Sequence, residues 1–332
     1  MAARLPEEET EMTRLSGVTP SGHAHLGNYL GAIRRWAREG GPGDLYFVSD
    51  LHGMTISYNP SRLRKLARES LAVLLAAGID QERVFVQSDL VREVGALTWL
   101  LECTCSYGEA ARMTQFKQKA EGQGMVRLGL LTYPVLMAAD ILLQNATEVP
   151  VGQDQTQHVE LARSLARRFN STYGEVFTVP RAVMAPTAAR LMDLSDPTRK
   201  MSKSTQDNAG VVFVLDDPDL VRRKITRAVT DTEDRLEYRP SSQPGLANLL
   251  EILAACVGRS PAEVADDFSG YGELKTAVAD AVIEELRPLR TRALELIDDQ
   301  HTLDKIREAG AERARERGAH TLTAALRMAG VG

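Results

Sequence analysis

The chain has 332 residues, of which 43% are hydrophobic and 26% are charged. This length suits one large domain or two ordinary ones, and the composition is typical of a soluble globular protein. No apolar run approaches the roughly 20 residues of a membrane-spanning helix, and the first residues lack the apolar core of a secretion signal. We therefore expect a cytoplasmic protein that does not associate with membranes.

The charge balance and the cysteine count exclude two further classes of protein. A formal net charge of −5 excludes a protein that is basic over its whole surface, so nucleic acid must be bound through local patches. Cys103, Cys105 and Cys256 are too few and wrongly spaced for a zinc or iron–sulfur site, and we expect reduced thiols. The acidic residues near the start predict a poorly ordered tail over 1–12.

The first half of the chain alternates short apolar segments with helical patterns. Segments 14–18, 44–50 and 83–89 are typical of buried strands, and apolar residues recur at helical spacing between them. This alternation predicts an α/β fold, in which a Rossmann-like parallel sheet carries helices on its faces. Ligands of such sheets bind beyond the carboxyl ends of the strands.

The rest of the chain has mostly helical patterns. A short strand is predicted at "EVPVG" (148–152), and we find no strand after residue 206. We therefore predict a catalytic domain over 13–205, with a helical insertion at about 91–170. An all-helical domain would follow over 206–332.

The segment "TPSGHAHLGN" (19–28) joins the first strand to a helix. Gly22 permits a positive φ in this turn, and Gly27 has no side chain to keep a planar ring off the backbone. The helix N-terminus offers N–H groups and a positive dipole end to a phosphate. The alternative interpretation is an ordinary strand–turn–helix corner with two exposed histidines.

A second polar segment, "KMSKS" (200–204), follows about 175 residues later. Two lysines and two serines on a short segment without helix or strand pattern suit a polyanion that is gripped and then released. A solvated surface turn has a similar composition. Because a rigid phosphate cradle occurs in the same chain, the two segments together favour a nucleotide site.

Segment 25–28, "HLGN", resembles the first signature of class I aminoacyl-tRNA synthetases, and "KMSKS" matches their second signature letter for letter. Longer stretches resemble the bacterial tryptophanyl-tRNA synthetases, and the resemblance covers nearly the whole chain after residue 14. These stretches are "DLHGMT" (50–55), "RMTQFK" (112–117), "GLLTYPVLMAADILL" (129–143), "VPVGQDQTQHVELARSLARRFN" (149–170) and "DPTRKMSKS" (196–204).

The resemblance implies activation of L-tryptophan by ATP with Mg²⁺, followed by transfer of tryptophan to tRNA(Trp). The metal would be held through the ATP phosphates rather than by a protein site. The resemblance assigns catalytic roles to His25, Lys119, Lys200 and Lys203. It assigns ATP binding to Thr19, Pro20, Ser21, Gly27, Asn28, Gly152, Gln153, Asp154, Leu191, Lys200, Met201, Ser202, Lys203 and Ser204. For Lys119 the alternative is an exposed helix lysine.

Tryptophan recognition requires an acceptor for the indole N–H inside an apolar pocket. Asp140 fits this role, because a carboxylate amid "LMAA" and "ILL" is costly to bury without a partner. The alternative is that Asp140 pairs within a buried helix. The other residues assigned to the tryptophan pocket are Tyr133, Met137, Ile141, His52, Gln115, Val151 and Gln155.

The resemblance also implies a homodimer formed through the helical insertion and a C-terminal domain that binds the tRNA anticodon stem. Basic runs at 222–224, 287–292 and 312–318 lie in that domain, although charge runs are usually solvated surfaces. We interpret His158 and Arg163 as parts of a salt-bridged helix near the dimer interface. Trp36 and Trp99 are interpreted as core or interface residues.

Two positions depart from the common bacterial pattern. Thr19 replaces a glutamine, and Gln153 replaces a glutamate, so we expect a divergent, main or auxiliary enzyme with either an altered ATP affinity or a slightly altered amino-acid pocket. Two competing hypotheses are the sister tyrosine enzyme and a synthetase-like protein that no longer charges tRNA. An additional protein partner is compatible with the sequence, which does not identify one.

Overall fold

The computed structural model describes residues 12–121, 125–184, 191–202, 208–233 and 235–332. The β-strands are β1 Leu15–Val18, β2 Leu45–Val48, β3 Val84–Val86, β4 Glu148–Val151 and β5 Arg181–Met184. The α-helices are α1 Leu26–Asn28, α2 Arg34–Glu39, α3 Pro60–Ala76, α4 Val91–Thr104, α5 Tyr107–Ala111, α6 Thr114–Ala120, α7 Leu128–Leu143, α8 Thr156–Tyr173, α9 Pro218–Thr226, α10 Pro244–Val257, α11 Pro261–Ala265, α12 Tyr271–Asp298 and α13 Gln300–Met328. Within these ranges no helix has the length and apolar character needed to cross a bilayer.

The strands form a parallel sheet in the order β3-β2-β1-β4-β5. Strands β1, β2 and β3 pair in parallel, and so do β4 and β5. A parallel bridge between Arg14 and Glu148 joins the two groups, and the Glu148 N–H donates to the Thr13 carbonyl over 3.1 Å. This is the doubly wound order, which reverses between β1 and β4 and opens a ligand crevice there. The first four strands were predicted from the sequence, whereas β5 was not.

The sheet separates two hydrophobic cores, which explains why its strands read as continuous apolar runs. Tyr46 and Val48 of β2 point into one core, which they share with α2, α3 and the helices α9 to α12. Leu45 and Phe47 point into the other core, which is built with α4, α7 and α8. The alternation follows the two-residue period of a strand.

The C-terminal helices lie directly against the sheet. Helix α13 passes so close to β3 that a Cβ at Gly310 would lie 2.2 Å from the Val84 carbonyl oxygen. Gly318 approaches Leu143 of α7 in the same way, with a Cβ position 2.8 Å from the leucine Cγ. The predicted helical character after residue 206 is confirmed for the described residues. The predicted boundary at 206 stays a prediction, because α9 to α12 share their core with the sheet.

The turn after β1 leads into a short α-helix and then a π turn, Tyr29–Ile33, before α2 begins. His25 caps α1 by accepting from the Asn28 N–H over 3.3 Å, and the Asn28 side chain accepts from the His25 N–H over 3.2 Å. This reciprocal pair fixes the entry angle of the helix. The positive φ expected at Gly22 is absent: the described residues with positive φ do not include it.

Candidate active site

The crevice between β1 and β4 collects the segments predicted to hold ATP. Thr19 to Ser21 follow β1, and Gly152 to Asp154 follow β4, so both lie at the carboxyl edge where the strand order reverses. The Thr19 and Ser49 hydroxyls are 2.9 Å apart, which ties this turn to the end of β2. Pro20 is buried beneath the turn, whereas Ser21 and Gln153 are exposed.

Gly27 and Leu191 lie side by side at the start of α1. A Cβ added at Gly27 would lie 3.1 Å from the Nδ1 and Cε1 atoms of His25 and 3.7 Å from the Leu191 Cβ. The structure therefore brings together three residues that the sequence placed on the nucleotide side. The absent side chain keeps open the surface above the His25 ring and the Leu191 backbone.

The segment before the second signature is a short antiparallel hairpin. The Asp193 N–H donates to the Arg199 carbonyl over 2.8 Å, and the Met201 N–H donates to the Leu191 carbonyl over 3.0 Å. Asn248 of α10 clamps the hairpin through hydrogen bonds to both the N–H and the carbonyl of Met192. The base of the second signature is therefore fixed to the C-terminal helices.

The described residues of the second signature differ in their exposure to solvent. Lys200 is exposed and Ser202 half-buried, so both face outward. The Met201 side chain is only 1% exposed and packs into the core, so a contact of Met201 with ATP would have to come from its backbone. Lys203 and Ser204 lie outside the described residues.

Asp140 lies on α7 with only 3% of its surface exposed, and its carboxylate has two protein partners. His52 Nε2 is 3.0 Å from Oδ2, and the Gln87 amide donates to Oδ1 over 2.9 Å and to Oδ2 over 2.8 Å. Because a carboxylate offers about four acceptor positions, these contacts leave roughly one position for a ligand N–H. Asp140 is therefore paired, but with residues from other elements rather than within its own helix, and its pairing is compatible with the ligand role.

Burial and these contacts act on the pKa of Asp140 in opposite directions. Burial raises the pKa of Asp140, and hydrogen bonds from His52 and Gln87 oppose that rise. Gln87 is itself held in place, since its side-chain oxygen accepts from the Leu51 N–H over 3.1 Å. Gln87, which directly follows β3 at the carboxyl edge of the sheet, was not predicted from the sequence.

The hydroxyl of Tyr133 joins two other side chains near the pocket. It donates to the Gln115 side-chain oxygen over 3.0 Å and lies 2.9 Å from His158 Nε2. Because the hydroxyl hydrogen goes to Gln115, Nε2 of His158 must carry the proton that it donates to the Tyr133 oxygen. Burial raises the pKa of Tyr133 to about 12, so the phenol keeps its proton.

His158 corrects one of our interpretations. It lies 1% exposed beneath Tyr133 rather than on an interface surface, and its Nδ1 has no hydrogen-bond partner among the described residues. Burial, together with the nearby Lys119 charge, lowers the pKa of His158 to about 4. Arg163 matches the interpretation better: it pairs with Glu160 over 3.2 Å and donates to the Pro180 carbonyl.

Gln115 links this pocket to the end of β4. Its amide lies 3.2 Å from the Asp154 carbonyl and 3.3 Å from an Asp154 carboxylate oxygen, which also accepts from Gln155 over 3.1 Å. Lys119 donates to the Gln115 oxygen over 3.1 Å and lies 5.3 Å from the centre of the Tyr133 ring. Lys119 therefore faces the pocket, although its side chain remains accessible to solvent.

Helix α7 supplies one face of the pocket, because Tyr133, Met137 and Asp140 recur at helical spacing. Met137 and Val151 are half-buried at its edge, whereas Ile141 is buried within the second core. Among the described residues no group of three or more His, Cys, Asp or Glu side chains could hold a metal ion. Retention of Mg²⁺ through the ATP phosphates stays a prediction.

The two tryptophans have different environments. Trp36 is buried and stacks on Tyr46 with ring centres 5.1 Å apart, so the core interpretation is confirmed. Trp99 is 66% exposed on α4 and therefore contributes to no core of this chain. The interface interpretation is the one that remains for it.

A family model described as "tRNA synthetases class I (W and Y)" matches residues 7–287. The chain belongs to this family. A protein of Streptomyces coelicolor named "Tryptophan--tRNA ligase 1" is 51% identical over 329 residues, which cover 96% of this chain and 98% of that protein. The resemblance inferred from the signatures is thereby confirmed over nearly the whole length.

Solved structures agree with this assignment. The tryptophanyl-tRNA synthetase of Mycoplasma pneumoniae is 33% identical and superposes with a TM-score of 0.87, covering 97% of this chain and 98% of that one. The enzyme of Campylobacter jejuni, solved with ADP and tryptophan, is 30% identical with a TM-score of 0.83, covering 96% and 100%. The predicted α/β fold with a Rossmann-like sheet and a helical C-terminal region is therefore confirmed.

Proposed function

We propose that this chain activates L-tryptophan with ATP, releasing pyrophosphate, and then esterifies a terminal ribose hydroxyl of tRNA(Trp). The observation that carries the choice of tryptophan is the buried Asp140 carboxylate. It is held by Gln87 and His52, and roughly one acceptor position remains for an indole N–H. The name of the 51% identical relative supports the same choice.

The chemistry needs positioning and charge stabilisation rather than a protein nucleophile. The tryptophan carboxylate attacks the α-phosphate, and negative charge grows on the departing pyrophosphate. The exposed Lys200, with Lys203 beyond the described residues, would stabilise that charge. Mg²⁺ bound to the phosphates would neutralise part of it. Gly27 and the turn that begins at Thr19 would hold the nucleotide across the crevice.

The pocket favours tryptophan over tyrosine for a physical reason. The only side-chain donor of tyrosine is the phenol O–H at the tip of a single ring, so a tyrosine would place no donor where the indole N–H would point, and Asp140 would lose one donor there. Sites built around a buried polar group reject analogues that leave it unpaired by roughly 10⁴ or more. The tyrosine alternative is thus disfavoured by the same contact that recommends tryptophan.

The half-reaction is tested by ATP–pyrophosphate exchange with each amino acid, followed by charging of tRNA(Trp). We expect exchange with tryptophan and little with tyrosine, and charging of the tRNA. Lys200→Ala should lower the exchange rate constant by roughly 10²–10³, as for other lost charge-stabilising donors. Exchange without charging would favour the synthetase-like binding protein, and exchange with neither amino acid would contradict the proposal.

We also propose that the protein is a homodimer that works in the cytoplasm, where tRNA is charged for translation. Helix α4 supports the dimer, because Val91, Gly95, Trp99 and Cys103 are all exposed and spaced four residues apart. Such a spacing puts these four uncharged residues on one face of the helix, where the charged residues Arg92 and Glu102 lie only near its two ends. An exposed apolar face of this kind is typical of a subunit interface.

A further inference from the structure

The basic runs of the C-terminal region are largely engaged within the chain. Arg222 pairs with Asp280 over 2.7 Å, and Lys224 pairs with Asp216 over 2.6 Å. The arginines of the run at 287–292 pair with Glu284, Glu295 and the Leu215 carbonyl. These side chains therefore already have partners within the chain.

The arginines of the run at 312–318 are also engaged within the chain, where they attach α13 to the sheet. Arg313 donates to the Gln81 carbonyl over 2.7 Å, and Arg315 pairs with Glu93 over 3.2 Å. Arg317 donates to the Gly43 carbonyl over 2.9 Å. The run at 312–318 therefore stabilises the fold, and a group of cations without such partners lies on another helix.

Helix α3 carries a basic cluster of a different kind. Arg62, Arg64 and Lys65 are exposed, and their side chains have no hydrogen bond or ion pair with any described residue. Arg64 and Lys65 line a surface groove of about 390 Å³, together with Arg68. Its opposite wall contains Ile297 and Gln300, at the junction of α12 and α13.

Two acidic groups beside this groove are paired, whereas the exposed Asp298 and Asp299 lie at its far wall, between Ile297 and Gln300. Glu69 holds His23, whose Nδ1 is 2.7 and 2.9 Å from the two carboxylate oxygens. Asp304 pairs with Arg68. The three outer cations face solvent and form no ion pair with a described residue, in a protein whose formal net charge is −5.

The position of the cluster relates it to the active site. Helix α3 connects parallel strands β2 and β3, so it runs back against the strands and its first turns lie at their carboxyl edge. His23 belongs to the turn after β1 at that same edge, and its bond to Glu69 joins the turn to α3. The cations thus lie beside the turn that leads from β1 into the crevice in which the adenylate would form, and Arg62 and Lys65 are close enough to His23 to act on its pKa.

We infer that Arg62, Arg64 and Lys65 bind the phosphate backbone of the tRNA near its 3′ end as that end enters the crevice. This inference rests on the proposed function and adds a tRNA-binding surface to it. Cations that lack protein partners gain most from phosphates, whose condensed counterions are released on binding. The groove gives the backbone a concave track along α3.

The test is a charge-reversal variant, Arg62→Glu with Arg64→Glu and Lys65→Glu, in the full-length protein. We expect tryptophan-dependent ATP–pyrophosphate exchange to remain at the wild-type rate. The KM for tRNA in charging should rise about 10-fold or more, and the dependence of log Kd on log salt should become shallower by about three. Footprinting should show protection lost on the acceptor arm.

Two controls keep the outcome interpretable. Arg167→Glu reverses an exposed arginine on α8, on the other face of the sheet. It should change neither the KM for tRNA nor the salt dependence of Kd. The triple glutamine variant removes the charges without adding repulsion and should give the same loss of salt slope. Thermal unfolding verifies that both variants are folded.

A wild-type tRNA Kd and salt slope in the folded triple variant would overturn the inference. Loss of the slope with an unchanged acceptor-arm footprint would also overturn it, because the cations would then contact another part of the tRNA. Absence of exchange in the wild-type protein would instead contradict the proposed function, and tRNA binding would still report on the cluster.

Discussion

Gln87 donates its side-chain amide to both oxygens of the Asp140 carboxylate, over 2.9 and 2.8 Å, from the residue that directly follows β3. The contact joins the end of β3 to α7, the helix that carries Asp140. It also orients the carboxylate, because a bond to each oxygen fixes its plane. Tryptophan recognition by Asp140 would therefore depend on a side chain that need not touch the ligand.

Gln87→Leu should impair both stability and tryptophan use. A hydrogen bond to a charged group contributes about 1.5–3 kcal/mol, so we expect the free energy of unfolding to fall by an amount in that range. The KM for tryptophan in exchange should rise more than the KM for ATP. Gln144→Leu is the matched control, since Gln144 is also buried but donates to the Ala314 carbonyl on α13. Equal effects of both variants on tryptophan KM would contradict the positioning role.

His158 predicts a pH dependence of stability. Its folded pKa of about 4 lies below the ordinary value of 6.5, so the unfolded chain binds the proton more tightly. The stability is therefore fully present above pH 6.5 and falls as the pH drops towards 4, by at most about 3 kcal/mol. Urea unfolding at pH 7 and pH 5 should show a smaller loss for His158→Gln than for the wild type. His320→Gln, at an exposed position on α13, should retain the full loss.

Gly27→Val should weaken ATP binding specifically. A Cβ there already lies 3.1 Å from the His25 ring, and the larger side chain would cover the surface beside Leu191. We expect the KM for ATP to rise about 10-fold or more, with a smaller change in the KM for tryptophan. Gly272→Ala on α12 is the control, because a Cβ at that position meets nothing within 4 Å. An unchanged ATP KM in Gly27→Val would place the nucleotide elsewhere.

Trp99→Glu should convert a dimer into monomers. The substitution puts a charge in the middle of the exposed apolar face of α4, where desolvating it on association would be unfavourable. Sedimentation velocity measures the change, and Val257→Glu, at an exposed position at the end of α10, should leave the mass of the wild type. A dimer of unchanged affinity in Trp99→Glu would refute an interface through α4.

The sequence was informative wherever a local pattern decides the structure. β1, β2 and β3 are short apolar runs buried on both faces, and the histidine and asparagine of "HLGN" form a cap between residues three positions apart. β5 was missed because Arg181 to Met184 is a partly exposed edge strand with an arginine and only three apolar residues. Its partner β4 lies about 30 residues away, beyond the reach of local patterns.

The site was less predictable because its contacts are made between distant residues. His158 has the helical spacing of an ordinary packing residue, and only the approach of Tyr133 from α7 reveals its role. Gln87 carried a usable signal, since a polar residue directly after a buried strand lies at the ligand edge of a parallel sheet. The partners of the C-terminal arginines could not be predicted from the sequence, because they are mainly carbonyl groups and carboxylates of other elements.

The most direct test of the account is ATP–pyrophosphate exchange with tryptophan and with its isostere benzothienylalanine, in which sulfur replaces the indole N–H. We predict exchange with tryptophan. For the isostere we predict a kcat/KM that is lower than that for tryptophan by roughly 10²–10⁴, because Asp140 would lose a donor in a buried site. Gln144→Leu should keep that ratio, and Gln87→Leu should reduce it. Equal kcat/KM for the two amino acids in the wild type would show that Asp140 serves only to pair with His52 and Gln87.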